Sequence, residues 1–289
     1  RCKPVDPTGV RTLIWRSTVG YRVGFLIAGS ALMRRQRYLR WLMFVLIGAA
    51  WAIQTAGLTI RGYAVQACPL GNPFEILQFI IWTSVGLYIL LFPIYRISLL
   101  GFFTTVLAGG LGMLSLLVPG WDRAYTGALF GGNPWIELHA ALAIFSYGVF
   151  GVLALISFRF VLQQFGLKRK RSQGLFRFLP SIRELDTVGL RLLGAGFLVL
   201  TVAVFVGSLY WIPNFENVSL PKLLFTLLVW AGYGIALIMR LRKRLLATHF
   251  AWTCLALFGL ALFSLWPVDT SRTQVEETPA EPARSVYPT

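Results

Sequence analysis

Charge is scarce in this chain. Only 13% of its 289 residues are Asp, Glu, Lys or Arg, while 56% are hydrophobic. A soluble domain carries roughly 25% charged residues, so a fully water-exposed globular surface is excluded. Acidic residues are scarcer still, 11 against 27 Lys and Arg, for a formal net charge of +16. That excess does not point to nucleic acid. The basic residues fall in short clusters between apolar runs, a pattern that membrane topology produces without a polyanionic partner. Cysteine is limited to Cys2, Cys68 and Cys254, with no CxxC spacing, which removes a zinc site or a dithiol motif. Histidine occurs only at 139 and 249. No cleavable signal peptide stands out, and the chain opens on Arg1 rather than Met, which leaves room for a missing start.

Long apolar runs are what the chain does have. They extend for about 18 to 25 residues, the length that crosses a hydrocarbon core of roughly 30 Å. They do not alternate, as the strands of an outer-membrane barrel would. The expected fold is an all-α polytopic transmembrane helix bundle of about eight spans, at 11–32, 41–60, 74–95, 97–118, 135–162, 188–211, 222–240 and 247–266. Arg16 and Arg22 interrupt the first, and neither has a partner assignable from sequence. The loops with Arg34, Arg35, Arg37 and Arg40, with Lys168 to Arg171, and with Arg240, Arg242, Lys243 and Arg244 fit together on one side only. The positive-inside rule makes that side the cytoplasm and puts both termini outside. Residues 1–10 form an outer segment, 11–266 the membrane domain, and the polar, Pro-rich 267–289 an outer tail expected to be disordered.

Candidate site residues gather at the outer helix ends. His139 lies near the start of the fifth span, where an ionisable group is costly and usually has a partner or ligand. Trp135, Leu142, Ala143 and Ser146 share or border its face. A backbone carbonyl of a neighbouring helix would satisfy the imidazole as readily as iron would. Asn72, Pro73 and Glu75 read as N-cap, N1 and N3 of a capping box; alternatively Glu75 lines a polar mouth with Gln78. Trp211 ends the sixth span and fits an aromatic belt. Lys222 opens the seventh against the helix dipole, so it either snorkels to water or pairs with an anion. His249 follows a basic loop and reads as an anchor at the opposite face, a full span from His139.

Taken in order, these segments resemble the cytochrome c assembly protein family of CcsA- and CcmC-type haem-handling membrane proteins, most nearly its YpjD-like inner-membrane branch. The resemblance covers about residues 41 to 266. It is carried by Cys68-Pro69-Leu70-Gly71-Asn72-Pro73-Phe74-Glu75, Leu138-His139 with Phe145-Ser146-Tyr147, and Leu185-Asp186 through Gly207-Ser208. Pro221-Lys222 running into Leu227-Leu228-Val229-Trp230 completes it. It implies haem at the outer face, His139 as an axial ligand to the haem iron, Trp135 and Trp211 against the ring, and Lys222 or Arg123 near the propionates. Trp121 and Glu75 are further contributors at this mouth. The chain departs from the family where embedded or flanking histidines are expected: Gln54, Met239 or Arg240, and the region of Phe263 and Trp266 stand there instead. The loop 211–220 holds one Trp and has Leu220 before Pro221.

The resulting expectation is a membrane component of cytochrome c maturation that binds or presents haem in an incomplete or shared site. Its expected partners are the lipid bilayer, haem, apocytochrome c and other cytochrome c assembly proteins, with no nucleic acid. The alternative is a scaffold that keeps the fold without haem chemistry, and a third is a small-molecule transporter. Against transport, no inverted repeat or matched pair of broken helices is visible.

Overall fold

The computed structural model describes residues 7–33, 40–65, 68–95, 100–118, 120–122, 134–168, 182–212 and 220–263. Among them are eight helices: α1 (Pro7–Met33), α2 (Arg40–Val65), α3 (Pro73–Tyr95), α4 (Leu100–Leu117), α5 (Pro134–Lys168), α6 (Ile182–Trp211), α7 (Leu220–Leu241) and α8 (Ala247–Phe263). Six, α2 to α7, are long and apolar enough to cross a bilayer. The expected count of eight spans is therefore revised to eight helices, six of which meet that requirement. α8 is apolar but only 17 residues long, and Arg11, Arg16 and Arg22 dilute the hydropathy of α1. The tail 267–289, the chain start and most of the basic loops lie outside the described residues.

Several helices run past the apolar stretches that reveal them. α2 continues to Val65 rather than ending at 60, and α5 continues to Lys168 rather than 162. Hydropathy marks only the segment that needs an apolar surrounding. Backbone hydrogen bonding continues into polar sequence that hydropathy cannot see.

The helices pack in two groups of four. In the first, α1 lies on α2 and α4, and α3 lies on α4 and α2. In the second, α5 lies on α6 and α8, while α7 contacts both α6 and α8. α5 joins the groups by packing against α3 and α4. At the α3–α5 crossing Ser84 donates its hydroxyl to the Gly148 carbonyl at 3.0 Å, and a Cβ at Gly148 would collide with Thr83. Lipid is as apolar as leucine, so membrane helices associate through such close approaches and interhelical hydrogen bonds. Deeper in the second group, Phe150 stacks on Tyr233 with ring centroids 3.6 Å apart, tying α5 to α7.

At the basic end of the bundle, Arg240 pairs with Asp186, donates to the Leu245 carbonyl at 2.6 Å and lies over the Phe250 ring. The α7–α8 turn is tight. Lys243 takes a left-handed conformation, φ 54°, and the Arg244 N–H returns to the Met239 carbonyl at 3.0 Å. That geometry satisfies carbonyls at the end of α7 that the helix itself leaves open. His249 is exposed in the first turn of α8, at this end and not at the His139 end.

Candidate functional site

α5 begins at Pro134, whose missing N–H costs nothing in a first helical turn. Just over one turn further on, His139 sits half-buried against α6, with Nδ1 2.6 Å from the Ala203 carbonyl oxygen. A carbonyl oxygen can only accept, so Nδ1 carries the hydrogen and Nε2 keeps a lone pair in the neutral ring. Trp211, two turns after Ala203 on α6, meets the imidazole edge-on with ring centroids 6.2 Å apart at 70°. Trp135, one turn before His139 on α5, is 59% exposed, which leaves most of its indole available for contact. The structure thus brings His139 and Trp211 together and keeps Trp135 on the adjacent turn. Lys222 lies in the first turn of α7, but its side chain falls outside the described residues, as do Arg123 and the loop 213–219.

Glu75 belongs to a different constellation. Asn72 Oδ1 accepts the Glu75 N–H at 2.8 Å, and Glu75 Oε2 accepts the Gly71 N–H at 2.6 Å. The capping arrangement is present, displaced by one residue because the carboxylate reaches Gly71. Glu75 is fully buried, and its other oxygen takes the Arg61 Nε–H. Arg61 also donates to Asp122 at 2.7 Å and lies 5.3 Å from the Phe74 ring centroid, while Arg11 stands 3.9 Å from Asp122. One ionic layer therefore ties α1, α2, α3 and the segment after α4.

A second polar layer crosses the same four helices deeper down. Tyr21 donates its hydroxyl to Gln54 Oε1 at 2.8 Å. Gln54 Nε2 donates to Gln78 Oε1 at 2.7 Å, and Gln78 Nε2 donates to Ser115 Oγ at 2.8 Å. All four residues are buried. Gln78 thus points toward Gln54 and Ser115, with no shared mouth beside Glu75. The sequence reading missed Arg61, Asp122, Tyr21 and Ser115 as partners. A signal existed: Arg61, Glu75 and Asp122 are charges at span ends on one side of the membrane, and such charges readily meet across a bundle.

Cys68, in the turn before α3, is a partly buried free thiol. Burial, with Glu137 and Glu75 adding to it, pushes its pKa up to about 11, so it is a poor nucleophile at neutral pH. A groove of about 430 Å³ opens between α2 and α3, walled by Leu58, Tyr63, Phe79 and Trp82 among others. His139, Trp135 and Trp211 do not line it. Among the described residues no group of three or more His, Cys, Asp or Glu is placed to hold a metal ion.

Comparison with known proteins identifies the family. The family model described as Cytochrome C assembly protein matches residues 70–270. The chain belongs to the cytochrome c assembly protein family. It is similar to Protein HemX of Brevibacillus brevis, 28% identical over 256 residues that cover 86% of this chain and 93% of that protein. It is also similar to Protein HemX of Bacillus subtilis (strain 168), 25% identical over 206 residues covering 70% and 74%. Similarity extends to Cytochrome c biogenesis protein CcsA of Chlamydomonas reinhardtii, 25% identical over 222 residues covering 69% and 57%.

Within this cytochrome c assembly family member, the positions that lack an expected histidine have other occupations. Gln54 is spent in the buried layer, Arg240 is paired with Asp186, and Met239 and Phe263 are exposed at 38% and 61%. The protein is an all-α integral membrane member of the family, and among the described residues the only imidazole at this end is that of His139.

Proposed function

We propose that this protein is a membrane component of cytochrome c maturation that binds or presents haem at the His139 end of the bundle. That end faces outward from a bacterial inner membrane, and the basic loops face the cytoplasm. The observation that carries the reading is the bond from His139 Nδ1–H to the Ala203 carbonyl. Metal-ligating histidines characteristically give their other N–H to a carbonyl or carboxylate, which fixes the ring and leaves the second nitrogen for the metal. A porphyrin brings its own four equatorial nitrogens, so one axial imidazole suffices on this side. Trp211 and Trp135 offer aromatic surface to an apolar macrocycle, and Lys222 offers a cation to its propionates. Glu75 holds the neighbouring helix ends through Arg61.

Haem is cargo in this reading, and what it supplies is the macrocycle that apocytochrome c takes up. A second axial ligand comes from a partner, in keeping with the occupied Gln54 and Arg240 positions. The test is an absorption spectrum of the purified protein, oxidised and reduced. A Soret band that His139→Ala weakens is the expected result. Preparations without haem, together with unchanged cytochrome c levels after deletion, would overturn it. The buried Gln54 layer favours one second reading, a family scaffold without haem chemistry. Recovery of cytochrome c assembly proteins by a haem-free preparation would select it. Reporter fusions to the 33–41 loop and to the tail test the orientation: a cytoplasmic tail contradicts it.

A further inference from the structure

We infer that Gly207 of α6 is a positioning residue for His139: its bare Cα lets the imidazole seat Nδ1–H on the Ala203 carbonyl, so that Nε2 is the nitrogen presented to a metal. The purpose of this device rests on the reading of His139 as a haem ligand; its geometry does not.

Within an α-helix the Ala203 carbonyl points toward the N–H four residues on, which is that of Gly207. A carbonyl has a second lone pair, so it can also accept from a side chain that approaches from outside the helix. The Cα–Cβ bond of the residue four positions on tilts back toward the helix N-terminus, over that carbonyl. Any residue except glycine at 207 therefore covers the acceptor that His139 uses. The distances bear this out. A Cβ at 207 would lie 2.6 Å from His139 Nδ1, 2.8 Å from His139 Cε1 and 2.5 Å from Trp211 Nε1. All three are shorter than real Cβ contacts, so the rings must move. The imidazole cannot retreat and still hold Ala203 at 2.6 Å.

The role of Gly207 is thus distinct from close packing alone. It selects which ring nitrogen keeps the hydrogen. The Ala203 bond is what holds Nδ1 protonated; without it the ring can turn or change tautomer. Groups that hold the other nitrogen of a metal-ligating histidine typically alter metal affinity by about 10- to 100-fold.

The experiment uses the full chain, uniformly unlabelled except for [15N]histidine, in detergent micelles without haem. The chain has two histidines, so a His249→Gln variant assigns the spectrum. The expected wild-type result is a neutral His139 with Nδ1 protonated and Nε2 bare. Gly207→Ala is expected to abolish that tautomer preference and to weaken binding of added haem by about 10- to 100-fold, at unchanged helix content. The inference is overturned if wild-type His139 carries its hydrogen on Nε2, or if Gly207→Ala leaves tautomer and affinity unchanged. Should Gly207→Ala fail to fold, the wild-type spectrum alone decides. If the tautomer is as expected and shifts in Gly207→Ala while neither protein binds haem, the positioning stands and the haem reading falls.

Discussion

At the end of the bundle that holds His139, the two four-helix groups use polar side chains differently. In α1 to α4 the buried polar groups meet each other: Arg61 with Glu75 and Asp122, Tyr21 with Gln54, Gln54 with Gln78, Gln78 with Ser115. In α5 to α8, at the His139 end, one imidazole gives one nitrogen to a backbone carbonyl and keeps the other. A group of donors and acceptors that consume one another makes a scaffold. A group with a lone pair left over makes a candidate ligand. The first half thus has its polar groups saturated, and the second holds the candidate ligand.

Breaking the ionic layer should have the largest effect. Arg61→Ala leaves the fully buried Glu75 carboxylate without its cation, and removing one partner of a buried pair typically costs about 3 to 5 kcal/mol. Thermal unfolding in detergent should show a large fall in Tm, and an unchanged Tm would mean that Glu75 is not held as described. Gln54→Leu comes next. It orphans the Tyr21 hydroxyl and the Gln78 carbonyl oxygen, at about 1 to 3 kcal/mol for each buried group. A neutral or stabilising Gln54→Leu would show that the deeper layer is dispensable.

His139→Ala sharpens the contrast from the other side. It removes a single hydrogen bond, worth about 1 kcal/mol net, so the Tm should barely move while haem absorbance falls. A collapse of the fold in His139→Ala would make the histidine a scaffold element like Gln54. The smallest effect concerns Cys68. Its thiol is held protonated up to about pH 11, so alkylation should be slow at pH 8 and should keep accelerating beyond the pH at which an ordinary thiol levels off. The sign is fixed: a raised pKa means less thiolate at any pH below it. Rapid labelling at pH 7 would show that Cys68 is more open and nearer a cation than the structure has it.

Much of the fold is legible from the chain alone. Apolar runs reveal the helices, and Asn72, Pro73 and Glu75 announce the start of α3 by their capping chemistry. Helix ends beyond the apolar stretch are not legible, and α2 shows the consequence. Its extension to Val65 places Arg61 in the helix, facing Glu75, and turns a loop residue into the hub of the ionic layer. α1 is the converse case. Arg16 and Arg22 sit on its exposed face, while Ser17, Thr18 and Tyr21 turn inward.

At the site, sequence singled out His139 because it is rare and lies in an apolar helix, and it found Trp135 by spacing along the same helix. It could not supply Ala203, since a backbone carbonyl leaves no mark on composition. Nor could it show what Gly207 is for, because a glycine acquires meaning only from what stands opposite. The sequence by itself determined the class of protein and the helices and singled out His139, since these depend on local properties of the chain. Only the tertiary structure decided that Glu75 and Gln54 are spent and that His139 keeps Nε2. Hydrogen bonds saturate, and which groups are left over depends on which helices lie side by side.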